Sequence, residues 1–220
     1  KSGRHAMWGL FFPMYPGFLM TLSRALSEIV ANCFALAAVL ALTVRRFGLA
    51  AVLLSWAVLT RETTLILVAA LGVSYAVDRS RGRENRIRPV TFVAPLAVFL
   101  LWQLAMMANW GEGFSSGMPP LSFPFAEYAR VLMEALPRRL HLQRVYFVEC
   151  AYLAAVVGLT AFTIVRTRPP LPWTLAWAGG LVLVSVLSPA QWGEDVGFMR
   201  ILSELMIMSG VVLVCFASLR

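Results

Sequence analysis

The sequence predicts an all-α protein, a polytopic bundle of about eight transmembrane helices. Three observations carry this prediction. Hydrophobic residues make up 60% of the chain and charged residues only 14%, where an ordinary soluble domain has about 25% charged. Several long windows hold no charge, and such windows read as membrane spans rather than as the core of a soluble domain. The basic residues are nearly all arginine and fall in small clusters between those windows, where membrane topology puts them.

The elements follow in order. The first span is Met7 to Thr21, kinked or broken at Pro13 and Pro16 because proline cannot continue a helix. The second runs from Ala25 to Val44 and stops at Arg45-Arg46. The third is Phe47 to Leu59 and the fourth Thr63 to Val77, followed by a basic loop with Arg79, Arg81, Arg83, Arg86 and Arg88. The fifth is Val90 to Ala108. A polar-aromatic loop, 109–144, comes next. Its glycines and prolines make the first half irregular. Its second half, Phe125 to Leu136, is amphipathic and predicts a helix lying flat on the outer surface. The sixth span is Val145 to Val165, the seventh Pro172 to Leu187 and the eighth Phe198 to Ala217, with Glu194-Asp195 in the short loop between the last two. Residues 1–220 read as one transmembrane domain. Because Lys1-Ser2-Gly3-Arg4 resembles the middle of a protein, the sequence predicts a C-terminal portion of a longer chain.

Alternating spans divide the charges unequally. One side takes twelve of the 19 basic residues and, of the 11 acidic ones, only Asp78 and Glu84. The basic side is cytoplasmic, so the other faces the periplasm or exterior of what reads as a bacterial inner membrane. This distribution also argues against nucleic acid as the partner of the +8 net charge; membrane lipids are the expected partner. Cys33, Cys150 and Cys215 each lie in an apolar run and read as core residues. His5 and His141 are isolated and no HxxxH or CxxC spacing occurs, so no metal ligand set and no cofactor is predicted, although a divalent ion stays open.

One hexapeptide, Leu59-Thr60-Arg61-Glu62-Thr63-Thr64, interrupts the longest oily region. The segment between Arg46 and Arg79 must leave the cytoplasmic side and return. A crossing needs ~20 residues and neither arm is that long. Arg61 and Glu62 are therefore placed below the outer surface, in a water-filled recess, because irregular backbone at depth needs a cavity or protein around it. Ionisable residues there are functional candidates. Arg24 with Glu28, and Arg200 with Glu204, repeat the pattern at i,i+4 spacing on the same side. Each pair alone reads as an interfacial ion pair capping a bundle; three together predict a polar cavity. Arginine suits phosphate because its planar fork donates two parallel hydrogen bonds. Arg138, Arg139 and Arg144 read first as contacts to anionic lipid. Trp110 and Trp192 read as aromatic belt and as the better candidates for stacking on a sugar.

Three stretches carry a resemblance. They are Pro16 through Ser27-Glu28 with the apolar helix ending in Arg45-Arg46, the run Leu49 to Thr63 containing Leu59-Thr60-Arg61-Glu62, and Trp192 to Glu204 with Arg200 opening a span. They resemble polytopic glycosyltransferases of the GT-C superfamily, the mannosyltransferase-like enzymes that use polyprenyl-phosphate sugars. The resemblance implies transfer of a sugar from a lipid-linked donor to a glycan, lipid or protein acceptor on the non-cytoplasmic side. It implies donor-phosphate and cavity roles for Arg24, Glu28, Arg61, Glu62, Arg200 and Glu204. In that superfamily a carboxylate in the first outer loop serves as base or orients the acceptor. Here Leu22 to Arg24 is too short for that loop and holds no Asp. Either that segment lies upstream of Lys1 or the activity is absent. Glu194 and Asp195 are the fallback candidates for base work.

A second reading is a transporter or lipid-handling protein with a polar cavity open to the outside, because short broken helices also mark substrate paths. A third is a subunit that only binds a partner.

Overall fold

The computed structural model of the chain describes residues 27–84, 87–111, 123–135, 141–186 and 202–216. Every regular element among them is helical: α1 (Ser27–Thr43), α2 (Phe47–Thr60), a 3-10 turn (Glu62–Thr64), α3 (Leu65–Ser80), α4 (Val90–Trp110), α5 (Ala126–Ala135), α6 (His141–Thr167), α7 (Leu171–Ser185) and α8 (Ser203–Phe216). The all-α class agrees with the prediction. Helices stand where the second to eighth spans were drawn; the first, Met7 to Thr21, lies outside the described residues. Length limits what these helices can do. Two are long and apolar enough to cross a membrane, Val90–Trp110 and the Cys150–Thr167 part of α6, while α1, α2, α7 and α8 are apolar but shorter.

The chain divides into two compact units. In the first, Thr21–Met118, α2 is central: α1 packs on it, and α4 packs on both α2 and α3. Ala31, Ala35 and Ala38 of α1 and Ala50, Ala51 and Ala57 of α2 are buried, and small side chains let two helix backbones approach closely. Two turns at one end of this unit are built alike. After α1, the Arg46 N–H donates to the Ala41 carbonyl at 2.8 Å and the Arg45 N–H to that of Leu42 at 3.0 Å. After α3, the Arg83 N–H donates to Asp78 at 2.9 Å and the Gly82 N–H to Arg79 at 3.2 Å. Both are helix-closing motifs that need one left-handed residue. Gly82 supplies it at φ 63°, without a Cβ; Arg45 supplies it at φ 58°, at a cost of about 1–2 kcal/mol. The Arg88 guanidinium lies 5.4 Å from the centre of the Phe47 ring, which brings the two turns to the same end.

The second unit contains Pro119–Arg220. Here α8 packs on α6 and α7, and α5 on α6. Leu205 through Val212 are all buried, as befits a helix that is apolar around its whole circumference. The buried Trp177 indole N–H donates to Ser209 Oγ at 3.1 Å. Gly180 comes close to Leu205: a Cβ there would stand 3.5 Å from the Leu205 Cα. The amphipathic segment is a helix, α5, within a residue of its predicted ends. Hydrogen bonds to α7 and α6 help to tie it down. The Phe125 N–H donates to the Ser185 carbonyl at 2.7 Å and the Tyr128 hydroxyl to the Cys150 carbonyl at 3.2 Å. Burial pushes the Tyr128 phenol above its ordinary 10.0, and Cys150 adds to the shift.

The predicted 109–144 loop is narrower than drawn. Asn109 and Trp110 belong to the last turn of α4, where the Asn109 side chain donates back to the Ala105 carbonyl at 2.8 Å. That turn ends on Gly111, left-handed at φ 67°, the conformation that closes helices most cheaply at glycine. At the other end, 141–144 already forms the start of α6.

Candidate functional site

Apolar side chains alone would let α2 run on into α3. The break is local. Thr60 turns its hydroxyl back onto the Trp56 carbonyl at 2.7 Å, a bond that competes with the backbone ladder and tends to bend helices. Arg61 then adopts an extended conformation, φ −154° and ψ 117°. Its N–H still closes onto Ala57 at 2.8 Å, and its carbonyl accepts the Thr64 N–H at 3.2 Å. One extended residue thus separates α2 from the 3-10 turn leading into α3, and that residue is the arginine.

Its charge meets a carboxylate from another helix. Arg61 Nη1 stands 3.8 Å from Glu28 Oε1, with side chains 13% and 10% exposed. Glu28 lies in the first turn of α1, where the partial positive charge of a helix N-terminus favours an anion. Nearly buried charges are tolerated when paired, because mutual attraction offsets part of the desolvation cost. At 3.8 Å the attraction is coulombic, since a direct hydrogen bond needs a shorter approach.

Asn32 extends this polar face and was missed in the sequence. It lies one helical turn beyond Glu28, on the same side of α1. It is 2% exposed, and its Nδ2 has no hydrogen-bond partner among the described residues. Ser74 of α3 is likewise buried, at 1%, with an unsatisfied Oγ. A lone amide four residues after a carboxylate in an otherwise apolar helix is the signal that could have found Asn32.

The other predicted residues distribute as follows. Glu62 opens the 3-10 turn and is exposed. Glu204, in the second unit, is half-buried in the first turn of α8, where Ser203 Oγ donates to its Oε2 at 3.4 Å. Trp110 is 64% exposed at the end of α4. Arg24, Trp192, Glu194, Asp195 and Arg200 lie outside the described residues, so each of the i,i+4 pairs has one member there. The structure brings together Glu28 and Arg61.

No family model matches the chain, and neither a curated protein nor a solved structure matches it significantly.

Proposed function

We propose that the chain is the membrane portion of a GT-C-like glycosyltransferase that moves a sugar from a polyprenyl-phosphate carrier to an acceptor on the periplasmic side of a bacterial inner membrane. The observation that carries the proposal is the nearly buried Arg61–Glu28 pair at a helix break. A membrane setting is supported by what the helices expose. Leu49, Val52, Trp56 and Leu59 form an exposed apolar stripe along α2, and Val93, Leu96, Leu100 and Leu104 do so along α4. Only 17% of the most apolar window of α4 is buried. Such surfaces suit lipid and are costly in water. In this setting the spans form a polytopic bundle with the 45–46 and 79–88 arginines cytoplasmic.

Depth then follows from helix length. The 14 residues of α2 rise ~21 Å, less than the ~30 Å of a hydrocarbon core. Arg61 thus stands short of the outer interface, where only a substrate reaching in from that side meets it. Its guanidinium pairs with Glu28, and the planar fork of an arginine suits the carrier phosphate. The leaving phosphate gains negative charge in the transition state, and a fixed cation stabilises it there. Arg24, Glu62, Arg200 and Glu204 keep the donor-phosphate and cavity roles that the resemblance implies, Trp110 and Trp192 are the sugar-stacking candidates, and Glu194 or Asp195 is the fallback base. No nucleotide is required in the site, because the donor sugar is already activated by its lipid phosphate.

A second reading, a transporter or lipid-handling protein, is favoured by the same break between short apolar helices. The two are separated by supplying a radiolabelled polyprenyl-phosphate sugar to vesicles containing the full chain. A transferase yields carrier phosphate and a glycosylated acceptor. A transporter yields intact donor on the opposite leaflet, and that result would overturn the transferase reading.

A further inference from the structure

The end of the first unit that carries the two matched turns is a concentrated cationic surface. Arg45, Arg46, Arg79, Arg81, Arg83 and Arg88 are all exposed there, against Asp78 and Glu84. Among the described residues Arg45, Arg46, Arg81 and Arg83 make no ion pair, although Asp78 lies in the last turn of α3 and Glu84 just beyond it. Aromatic rings back the arginines. Arg88 covers Phe47, Arg79 donates to the Tyr75 hydroxyl at 3.3 Å, and the Tyr75 ring packs on Phe92 at 5.4 Å between centroids. Aromatics at this level, with apolar helices on one side and cations on the other, match the layering of a membrane interface.

Chemistry and backbone geometry add to the charge bias that orients a membrane protein. All six are arginine, as are nearly all basic residues of the chain, and the rigid guanidinium fork matches phosphate oxygens. Arg45 also occupies a left-handed position that the equivalent turn fills with Gly82. A side chain kept where glycine fits without strain points to a use for that side chain.

We infer that this surface docks anionic phospholipid headgroups, its arginines gripping the phosphodiester groups of the cytoplasmic leaflet. The inference rests on the membrane placement but not on sugar transfer, and its test uses no sugar donor.

The test is the melting temperature of the purified full chain in uncharged detergent with added phosphatidylglycerol or phosphatidylcholine. Phosphatidylglycerol raises it by about 5 °C over phosphatidylcholine, and the difference shrinks in high salt as the charges are screened. The Arg45→Gln/Arg81→Gln/Arg83→Gln variant loses more than about half of that increment while melting as before in phosphatidylcholine. Arg45→Gly relieves the backbone and folds at least as well, yet it too shows a smaller increment. Inorganic phosphate in place of lipid produces no rise. Equal melting in the two lipids, a full increment in both variants, or an equal response to inorganic phosphate would each overturn the inference.

Discussion

Arg61 and Glu28 belong to different helices and stand 3.8 Å apart, each with its side chain nearly buried. The pair joins the N-terminal turn of α1 to the break after α2, so it fixes the corner from which α3 departs. Its energetic meaning lies in the asymmetry of buried ion pairs. Removing one partner leaves an uncompensated charge, whereas removing both leaves none.

That asymmetry predicts a double-mutant cycle. Glu28→Ala costs about 2–4 kcal/mol, and Arg61→Ala costs a comparable amount. The double variant costs less than the two together, with a coupling of about 1 kcal/mol or more. Denaturant unfolding in mild detergent measures all three. Simple additivity would show that the two charges do not stabilise one another.

Glu62 is exposed beside the nearly buried Arg61, on the face read as periplasmic. A Glu62→Cys variant, in a background whose native cysteines are replaced, reacts with a membrane-impermeant thiol reagent added outside sealed cells. Labelling that appears only after the cytoplasmic face is opened contradicts the orientation.

Tyr128 gives a prediction about pH. Burial holds its phenol above the ordinary 10.0, so folding favours the neutral form. Its contribution is complete below the unfolded value and is lost as the pH rises through the raised one. The hydroxyl bond to the Cys150 carbonyl accordingly secures α5 at neutral pH and weakens in alkali. Ultraviolet titration of phenolate detects one late-titrating tyrosine fewer in Tyr128→Phe, whose α5 is protected less from proteolysis at neutral pH. Unchanged titration and protection in that variant contradict the assignment.

Much of this was legible in the sequence because the chemistry is abrupt. An ionic dipeptide inside a long apolar run marks a break whatever the fold, and the break falls at Arg61. The amphipathic pattern after Phe125 marks α5 in the same way. The partner of Arg61 was less legible. Glu28 reads equally well as the i,i+4 partner of Arg24, and only packing of α1 on α2 brings it to Arg61. Asn109 opens the polar stretch that reads as loop, yet its side chain bonds within α4 and the helix continues to Trp110. Counting crossings from apolar runs includes residues that the chain spends on turns: the second predicted span reaches Val44, which lies in the turn after α1. Within the eighth predicted span, Phe198 to Ala217, the described helix is Ser203–Phe216.

The central claim is that Arg61 holds a lipid-linked phosphate. The most direct measurement is photo-crosslinking of a polyprenyl-phosphate probe to the purified full chain, comparing wild type with Arg61→Ala and Arg61→Lys at matched folding. The account predicts labelling of the wild type near residues 59–64, competed by unlabelled polyprenyl phosphate but not by the parent alcohol. Labelling weakens about tenfold or more in Arg61→Ala, as expected for loss of a charge-assisted contact, and is partly retained in Arg61→Lys. Undiminished labelling of Arg61→Ala, or equal competition by the alcohol, would contradict it.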